Sequence, residues 1–286
     1  IDDGIDVVEP SEEATRTFDS IPNRTIVITA SEIRENIVPS VVILAVKPQT
    51  MDETLPDLKR LIGKETTILS VAAGKTLGYF EKHLSQHAQN ERAMPNTPAA
   101  DMAPSHLCAE VEALADTFGA ECTVTTGDAL LDRDCGAIHG VGRAAIDPPC
   151  LAELTWGDHS HPRIAIVGKG VTIDRGGLDI KPASVMRLMK KDIVGAATAI
   201  GLAYAIMAEE LPVYLHLLIP AAENAIAGNA FRPGDILHTH KGLTVEIDNT
   251  DAEGRLLLCD ALSIAAAGGP ELVIDFATLT GSARSA

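Results

Sequence analysis

The chain of 286 residues has no C-x-x-C pair, no apolar run of membrane-spanning length, no phosphate-binding glycine loop and too little positive charge to balance its acids. Each absence removes a class of function. The five cysteines (Cys108, Cys122, Cys135, Cys150, Cys259) are an odd number without close pairs, which argues against a disulfide framework or a structural zinc knot and fits a reducing cytoplasm. With 23 Lys and Arg against 40 Asp and Glu, the net charge of −17 repels a phosphate backbone or an anionic bilayer, so neither nucleic acid nor membrane is an expected partner. The longest apolar run, Ile193 to Ala208, contains two glycines and falls short of the roughly 20 residues that span a bilayer. It reads as a buried helix. The opening Ile1-Asp2-Asp3-Gly4 carries neither part of a secretory signal nor an initiator Met, so a fragment of a cytoplasmic protein is the expectation. Gly168, Gly170, Gly176 and Gly177 follow neither the P-loop nor the dinucleotide-binding spacing, and no internal repeat is visible.

What is present is apolar surface, 46% of residues with mean hydropathy +0.13, enough for two domains. In the first hundred residues, β-branched runs (Ile5 to Val8, Thr25 to Thr29, Val41 to Val46, Thr67 to Val71) alternate with helical ones (Asp52 to Leu61, Leu77 to His83), the pattern of an α/β unit with a parallel sheet. Val111 to Phe118 reads as a helix, Cys122 to Thr126 as a short strand and Pro148-Pro149 as a break. From Arg163 the pattern restarts. Strand Ile164 to Val167 leads through a Gly-rich turn to one long helix from about Ser184 to Glu209, then to strand Val213 to Ile219. Two β segments, Ile236 to His240 and Thr244 to Ile247, flank a turn at Lys241-Gly242, and a loop from Asp248 to Gly254 precedes helix Arg255 to Ala267 and strand Leu272 to Phe276. The chain stops at Ala286, where an α/β domain would be expected to continue.

Charge concentrates beside this apolar scaffold in four segments: G-K-G-V-T-I-D-R-G-G from Gly168, Lys181-Pro182, M-K-K-D ending at Asp192, and N-T-D-A-E-G-R from Asn249. They fall at the ends of strands or on one helix, and strand ends are where α/β sheets collect ligands. Asp251 and Glu253 are two apart in an expected extended loop, so both carboxylates would project to one side. With Asp174 and Asp192 they make four negative charges, which would balance two divalent ions.

N-T-D-A-E-G-R-L from Asn249, followed by A-T-L-T-G from Ala277, resembles the signatures of the leucyl aminopeptidases, peptidase family M17. L-L-D-R-D-C-G-A-I-H-G-V-G-R-A from Leu130 continues the resemblance, which begins near Asn96. It implies metal ligands at Lys169, Asp174, Asp192, Asp251 and Glu253, with Asp174 and Glu253 bridging two ions, Mn²⁺ or Zn²⁺. It also implies catalytic roles for Lys181, toward an oxyanion, and Arg255, holding a bicarbonate, with Met189, Thr278, Leu279 and Gly281 lining the substrate pocket. Peptide substrates and a homohexamer follow from the same resemblance. Two positions depart from the pattern: Arg175 replaces a small hydroxyl residue beside Asp174, and Val194 replaces a glycine after Asp192.

Residues 1–99 resemble pyrroline-5-carboxylate reductase instead, through V-V-I-L-A-V-K-P-Q (Val41 to Gln49), S-V-A-A-G-K-T-L (Ser70 to Leu77) and R-A-M-P-N-T-P-A (Arg92 to Ala99). That resemblance implies a site for NADP at Ala45, Lys47, Pro48 and Asn96. The first strand and its glycine turn are missing, so no helix N-terminus receives the pyrophosphate and NADP is not an expected cofactor. The two resemblances meet at N-T-P-A (Asn96 to Ala99), which reads as a junction. The expected fold class is therefore α/β: a truncated Rossmann-like parallel-sheet fragment (1–99), a linker and helical segment (100–162), and a mixed-sheet metallopeptidase core (163–286). Its function would be a metal-dependent aminopeptidase; an NADP-dependent reductase or a non-catalytic fusion product is the alternative. Of the remaining candidates, His159 with His161 and His238 with His240 read as surface or edge histidines rather than a metal site, Met186 and Met189 as core filler, and Lys190-Lys191 as a solvated helix face.

Overall fold

The computed structural model describes residues 97–279, with 5–8, 24–27, 33, 39, 41–44, 51–63, 66–70 and 89–90 before them. The chain divides into two units, Ile1–Arg92 and Ala93–Ala286. Ala45, Lys47, Pro48, Asn96 and Gly281, and the helix expected over Leu77 to His83, lie outside the described residues.

In the first unit β1 (Ile5–Val8) pairs in parallel with β2 (Arg24–Val27). A second parallel set, in the order β3 (Val41–Leu44), β4 (Thr67–Ser70) and β5 (Gln89–Asn90), has α1 (Met51–Leu58) on the crossover between β3 and β4. Parallel neighbours need such a crossover. Leu55, Leu58 and Leu61 supply its buried side. Thr66 Oγ1 donates to Pro39 O at 2.8 Å and accepts from Gly63 N at 2.9 Å, which closes the turn before β4.

The second unit is built on a six-stranded mixed sheet. Its path is β13 (Leu272–Phe276), β8 (Arg163–Gly168), β10 (Tyr214–Asn224), β7 (Cys150–Trp156) and β6 (Glu121–Thr126), with β9 (Gly170–Asp174) also pairing β10. β8, β9 and β13 run parallel in their pairings with β10 and β8, while β7 and β6 are antiparallel additions. Residues 100–162, expected as a linker and helical segment, thus supply two of the sheet's strands. Side chains alternate between its faces. Cys150, Ala152, Leu154, Ile166, Leu215 and Leu217 pack under α2 (Pro104–Phe118) and α5 (Val194–Ala208). Leu151, Ala165, Val167 and Leu218 face α3 (Gly136–Gly142) and α6 (Gly254–Ala267). In α2, Leu107, Val111, Leu114 and Ala115 recur at helical spacing and are buried; the larger of these side chains each contribute about 1.5–3 kcal/mol by leaving water. Proline opens that helix, and Gly119 at φ 64° ends it.

Three sequence expectations change. The long helix expected from Ser184 to Glu209 is broken into α4 (Ala183–Met186), a 3₁₀ turn (Met189–Ile193) and α5. The break puts Ala196 N, in the first turn of α5, 2.9 Å from Lys169 O, which takes a donor that has no acceptor within the helix. The loop at Asp251 and Glu253 is not extended. A 3₁₀ turn (Thr250–Ala252) carries Asp251, and Glu253 caps α6. Counted with the turn before it, Met189–Ala208 is long and apolar enough to cross a membrane; 67% of its apolar window is buried within the protein, as a core helix requires. The β11 (Ile236–His238) and β12 (Thr244–Glu246) hairpin forms around Gly242 at φ 79°, as expected.

Candidate metal centre

Lys169 lies between the end of β8 and the start of β9, with its backbone N–H donated to Phe276 O at 2.9 Å. That backbone is gripped closely: a side chain at Gly195 would bring a Cβ within 2.3 Å of Phe276 O and 3.0 Å of Lys169 O. The lysine is 1% exposed. Its ammonium sits 2.6 Å from Asp192 Oδ2 and 2.9 Å from Glu253 Oε1, and donates to Thr278 O at 3.0 Å, so all three of its donors are used. Gly254 makes the approach possible, because a Cβ there would fall 2.5 Å from Lys169 Cε. Thr278 Oγ1 donates to Asp192 Oδ1.

Lys181 forms the second half. Its ammonium is 2.8 Å from Asp174 Oδ2, at the end of β9, and 2.5 Å from Asp251 Oδ1. Apart from this ion pair, Asp251 Oδ1 is buried without a hydrogen-bond donor. Asp174 Oδ1 accepts from Gly176 N at 2.8 Å and from Asn224 Nδ2 at 2.9 Å. A reciprocal clamp joins the loop of Lys181 to the turn of Asp251: Thr250 N donates to Asp179 Oδ2 at 2.7 Å, and Asp179 N to Thr250 Oγ1 at 2.9 Å.

The six expected side chains Lys169, Asp174, Lys181, Asp192, Asp251 and Glu253 therefore share one site. Asp174, Asp192 and Glu253, all buried, each present an oxygen within 4.8 Å of the others. Four carboxylates face two ammonium groups, so negative charge is in surplus. The Glu253 carboxyl is pushed up to about 7, chiefly by burial and further by Asp174 and Asp192, against the pull of Lys169. Burial also raises Asp251, against Lys181. Burial alone would lower Lys169, but Asp192 and Glu253 outweigh it and hold the amine charged. An oxygen and amine donor set with surplus negative charge fits divalent cations.

Met189 is buried in the 3₁₀ turn that carries Asp192, Leu279 is 46% exposed, and Arg255 is exposed on the first turn of α6. Arg175 turns away from Asp174 to pair with Glu223 at 2.7 Å. Val194 opens α5, and the close backbone contact falls on Gly195 beside it. The four histidines stay out of the cluster; His159 stacks on Tyr214 at 4.1 Å and His240 Nδ1 meets Arg133 O at 2.9 Å. Lys190 and Lys191 are half-buried. Asn224, Asp179 and Thr250 were not among the sequence candidates. Their one sequence signal is a polar residue closing an apolar strand or abutting a charged segment.

Residues 89–286 match the model of the cytosol aminopeptidase family, catalytic domain. A probable cytosol aminopeptidase of Aquifex aeolicus is 43% identical over 211 residues, 73% of this chain and 42% of that protein. The cytosol aminopeptidase structure from Coxiella burnetii has a TM-score of 0.67 and 37% identity, over 92% of this chain and 62% of that one. The bottromycin maturation enzyme BotP, solved in complex with Mn, has a TM-score of 0.63 and 38% identity, over 68% of this chain and 43% of that one. The chain spans less than half the length of the curated relatives it matches.

Proposed function

Because the chain belongs to the cytosol aminopeptidase family, matching its catalytic domain over residues 89–286, we propose that it is the metal-dependent part of an aminopeptidase that removes N-terminal, leucine-like residues from peptides. The observation that carries this reading is the buried convergence of Asp174, Asp192 and Glu253 with Lys169, between β8 and β9, and Lys181, on the loop after β9. Lys169, Asp174, Asp192, Asp251 and Glu253 would hold two divalent ions, Mn²⁺ or Zn²⁺. When bound, such ions supply Lewis-acid activation of water and of the peptide carbonyl and a seat for the substrate's free amine.

The protein's own groups do the rest. Lys181, less enclosed than Lys169, is the cation placed to steady negative charge developing on the carbonyl oxygen. Lys169 must give up its proton to act as a ligand, which requires the cations to reverse the pull of Asp192 and Glu253. Arg255, exposed beside the cluster, is the proposed seat of a bicarbonate acting as general base. Met189, Thr278, Leu279 and Gly281 are the proposed pocket lining, and a cytoplasmic homohexamer is the proposed assembly, to be checked by light scattering. The parallel strands of the first unit support a Rossmann-like fragment there. No observation favours a reductase activity for the whole chain.

The purified chain with Mn²⁺ or Zn²⁺ should release the chromophore from a leucine anilide and leave the N-acetylated compound intact, and Glu253→Gln should abolish the release. Metal-independent hydrolysis, or equal cleavage of the acetylated compound, would overturn the proposal.

A further inference from the structure

We propose that Asn224 is a positioning residue that sets the carboxylates of the centre for a divalent cation; the inference rests on the metal-centre reading above. Asn224 closes β10 opposite Asp174 of β9, just past an irregularity in the register between Ala222 and Asn224. Such irregularities re-aim a side chain. Here it turns into the protein, where Asn224 is 0% exposed. Its Nδ2 donates to Asp174 Oδ1 at 2.9 Å and to Thr250 O at 3.0 Å, and lies 3.5 Å from Glu253 Oε2.

Thr250 O can only accept a hydrogen bond and Asp174 Oδ1 already accepts from Gly176 N, so these two fix which end of the amide faces them. Its other end, Oδ1, is buried with no donor. Buried acceptors are rarely left so, and the orientation survives because the donor end is held by the centre. One neutral amide thereby ties together three elements: β9 through Asp174, the 3₁₀ turn of Asp251 through Thr250 O, and the cap of α6 through Glu253. It holds Asp174 Oδ1 and leaves Oδ2 presented to the centre, 2.8 Å from Lys181 Nζ. A neutral donor does this without adding a third positive charge to compete with a bound cation.

The test is calorimetric titration of Mn²⁺, and separately Zn²⁺, into the metal-free whole chain as wild type, Asn224→Ala and Asn224→Leu. The leucine keeps the branched shape while deleting both donors. Outer partners of metal ligands typically govern affinity by about 10–100-fold, and a loss in that range is expected in both variants. The metal-free melting curves should stay close to wild type, since each change also removes the unpartnered Oδ1. The electron paramagnetic signal of a coupled Mn²⁺ pair should weaken in parallel. Variants that bind Mn²⁺ within about twofold of wild type would overturn the assignment, as would failure of both to fold, which would place Asn224 in the fold alone. A wild-type chain that takes up neither ion would overturn the metal-centre reading itself, a failure distinct from the other two.

Discussion

The two lysines of the centre have the same stoichiometry and opposite surroundings. Lys169, with Asp192 and Glu253, is sealed, its side chain 2% exposed and its partners 3% and 2%. Lys181, at 13%, bridges Asp174, at 5%, and Asp251, at 33%. In the sealed half desolvation is nearly complete, so each charge depends on its partners and removing one strands the rest. In the open half water shares the load. A site that must hold ions and still exchange substrate can use both: a closed side that fixes geometry and an open side that admits ligand.

The largest effect should come from Lys169→Met, which leaves Asp192 and Glu253 buried without their cation; breaking a buried pair costs about 3–5 kcal/mol. Lys181→Met should cost less, roughly 1–2 kcal/mol, between the exposed and buried cases. Urea unfolding of the metal-free proteins measures both. Equal losses would mean that the two halves are electrostatically alike.

The metal-free chain should lose stability between about pH 4.5 and 7. The folded Glu253 carboxyl, at about 7 against an ordinary 4.5, binds more protons folded than unfolded between those values. Stability from this group therefore falls as pH rises from about 4.5 to about 7 and levels off above. Lys169, raised from 10.5 by Asp192 and Glu253, contributes stability that persists through this window and is lost only at higher, alkaline pH. Glu153 titrates elsewhere. Despite burial, its contacts with His216, 3.6 Å away, and with Arg133, which donates to it, lower it, so its contribution is lost only as pH falls below 4.5. Urea midpoints at pH 5, 6 and 7 should decline in the wild type and flatten in Glu253→Gln; an unchanged slope in the variant would remove Glu253 as the cause.

What was legible in the sequence follows the same division between strong and weak physical signals. Strands at Ile164 and Leu272 and the helix at Arg255 announced themselves as apolar runs with clear punctuation. β7 did not, because Glu153 interrupts its apolar pattern and Pro148-Pro149 draws attention to a break. α3 did not, because glycines at 136, 140 and 142 each cost about 1 kcal/mol in a helix. It forms because Asp260 Oδ2 accepts from Ala137 N and Ile138 N, both at 3.0 Å, across the fold. α5 is apolar all round, so no period in it could show where the helix breaks before Val194. In the site, the carboxylates and lysines stood out as charges on an apolar scaffold. Asn224, 50 residues from Asp174 and 26 from Thr250, gave no such contrast, since a neutral residue at a strand end looks like ordinary punctuation until the sheet register is known.

A smaller effect tests how tightly the sealed half is packed. Gly254→Ala would place a methyl 2.5 Å from Lys169 Cε and 2.7 Å from Nζ, an atom held by three partners. Overpacking of this kind costs about 1–3 kcal/mol, partly offset by alanine's helix preference of about 1 kcal/mol. The same substitution made in a Lys169→Ala background should cost less, because the clash partner is gone. A double-mutant cycle measures the coupling, and additivity would show that Lys169 is not the neighbour that gives way.

The smallest effect should come from Arg175→Ser, which restores a small hydroxyl residue beside Asp174. Arg175 is adjacent in sequence to a residue of the centre, yet its guanidinium pairs with Glu223 at 2.7 Å and its side chain is 42% exposed. Exposed pairs of this kind contribute about 0–1 kcal/mol, and screening by solvent and salt weakens what the cation projects toward Asp174. The substitution should therefore change the urea midpoint by less than about 0.5 kcal/mol equivalent and leave Mn²⁺ affinity within about twofold, since a tenfold change corresponds to 1.4 kcal/mol, more than an exposed pair supplies. A gain of tenfold or more in Mn²⁺ affinity would show instead that Arg175 opposes the cation. The open half would then be tuned by charge at its rim as well as by the exposure of Lys181 and Asp251.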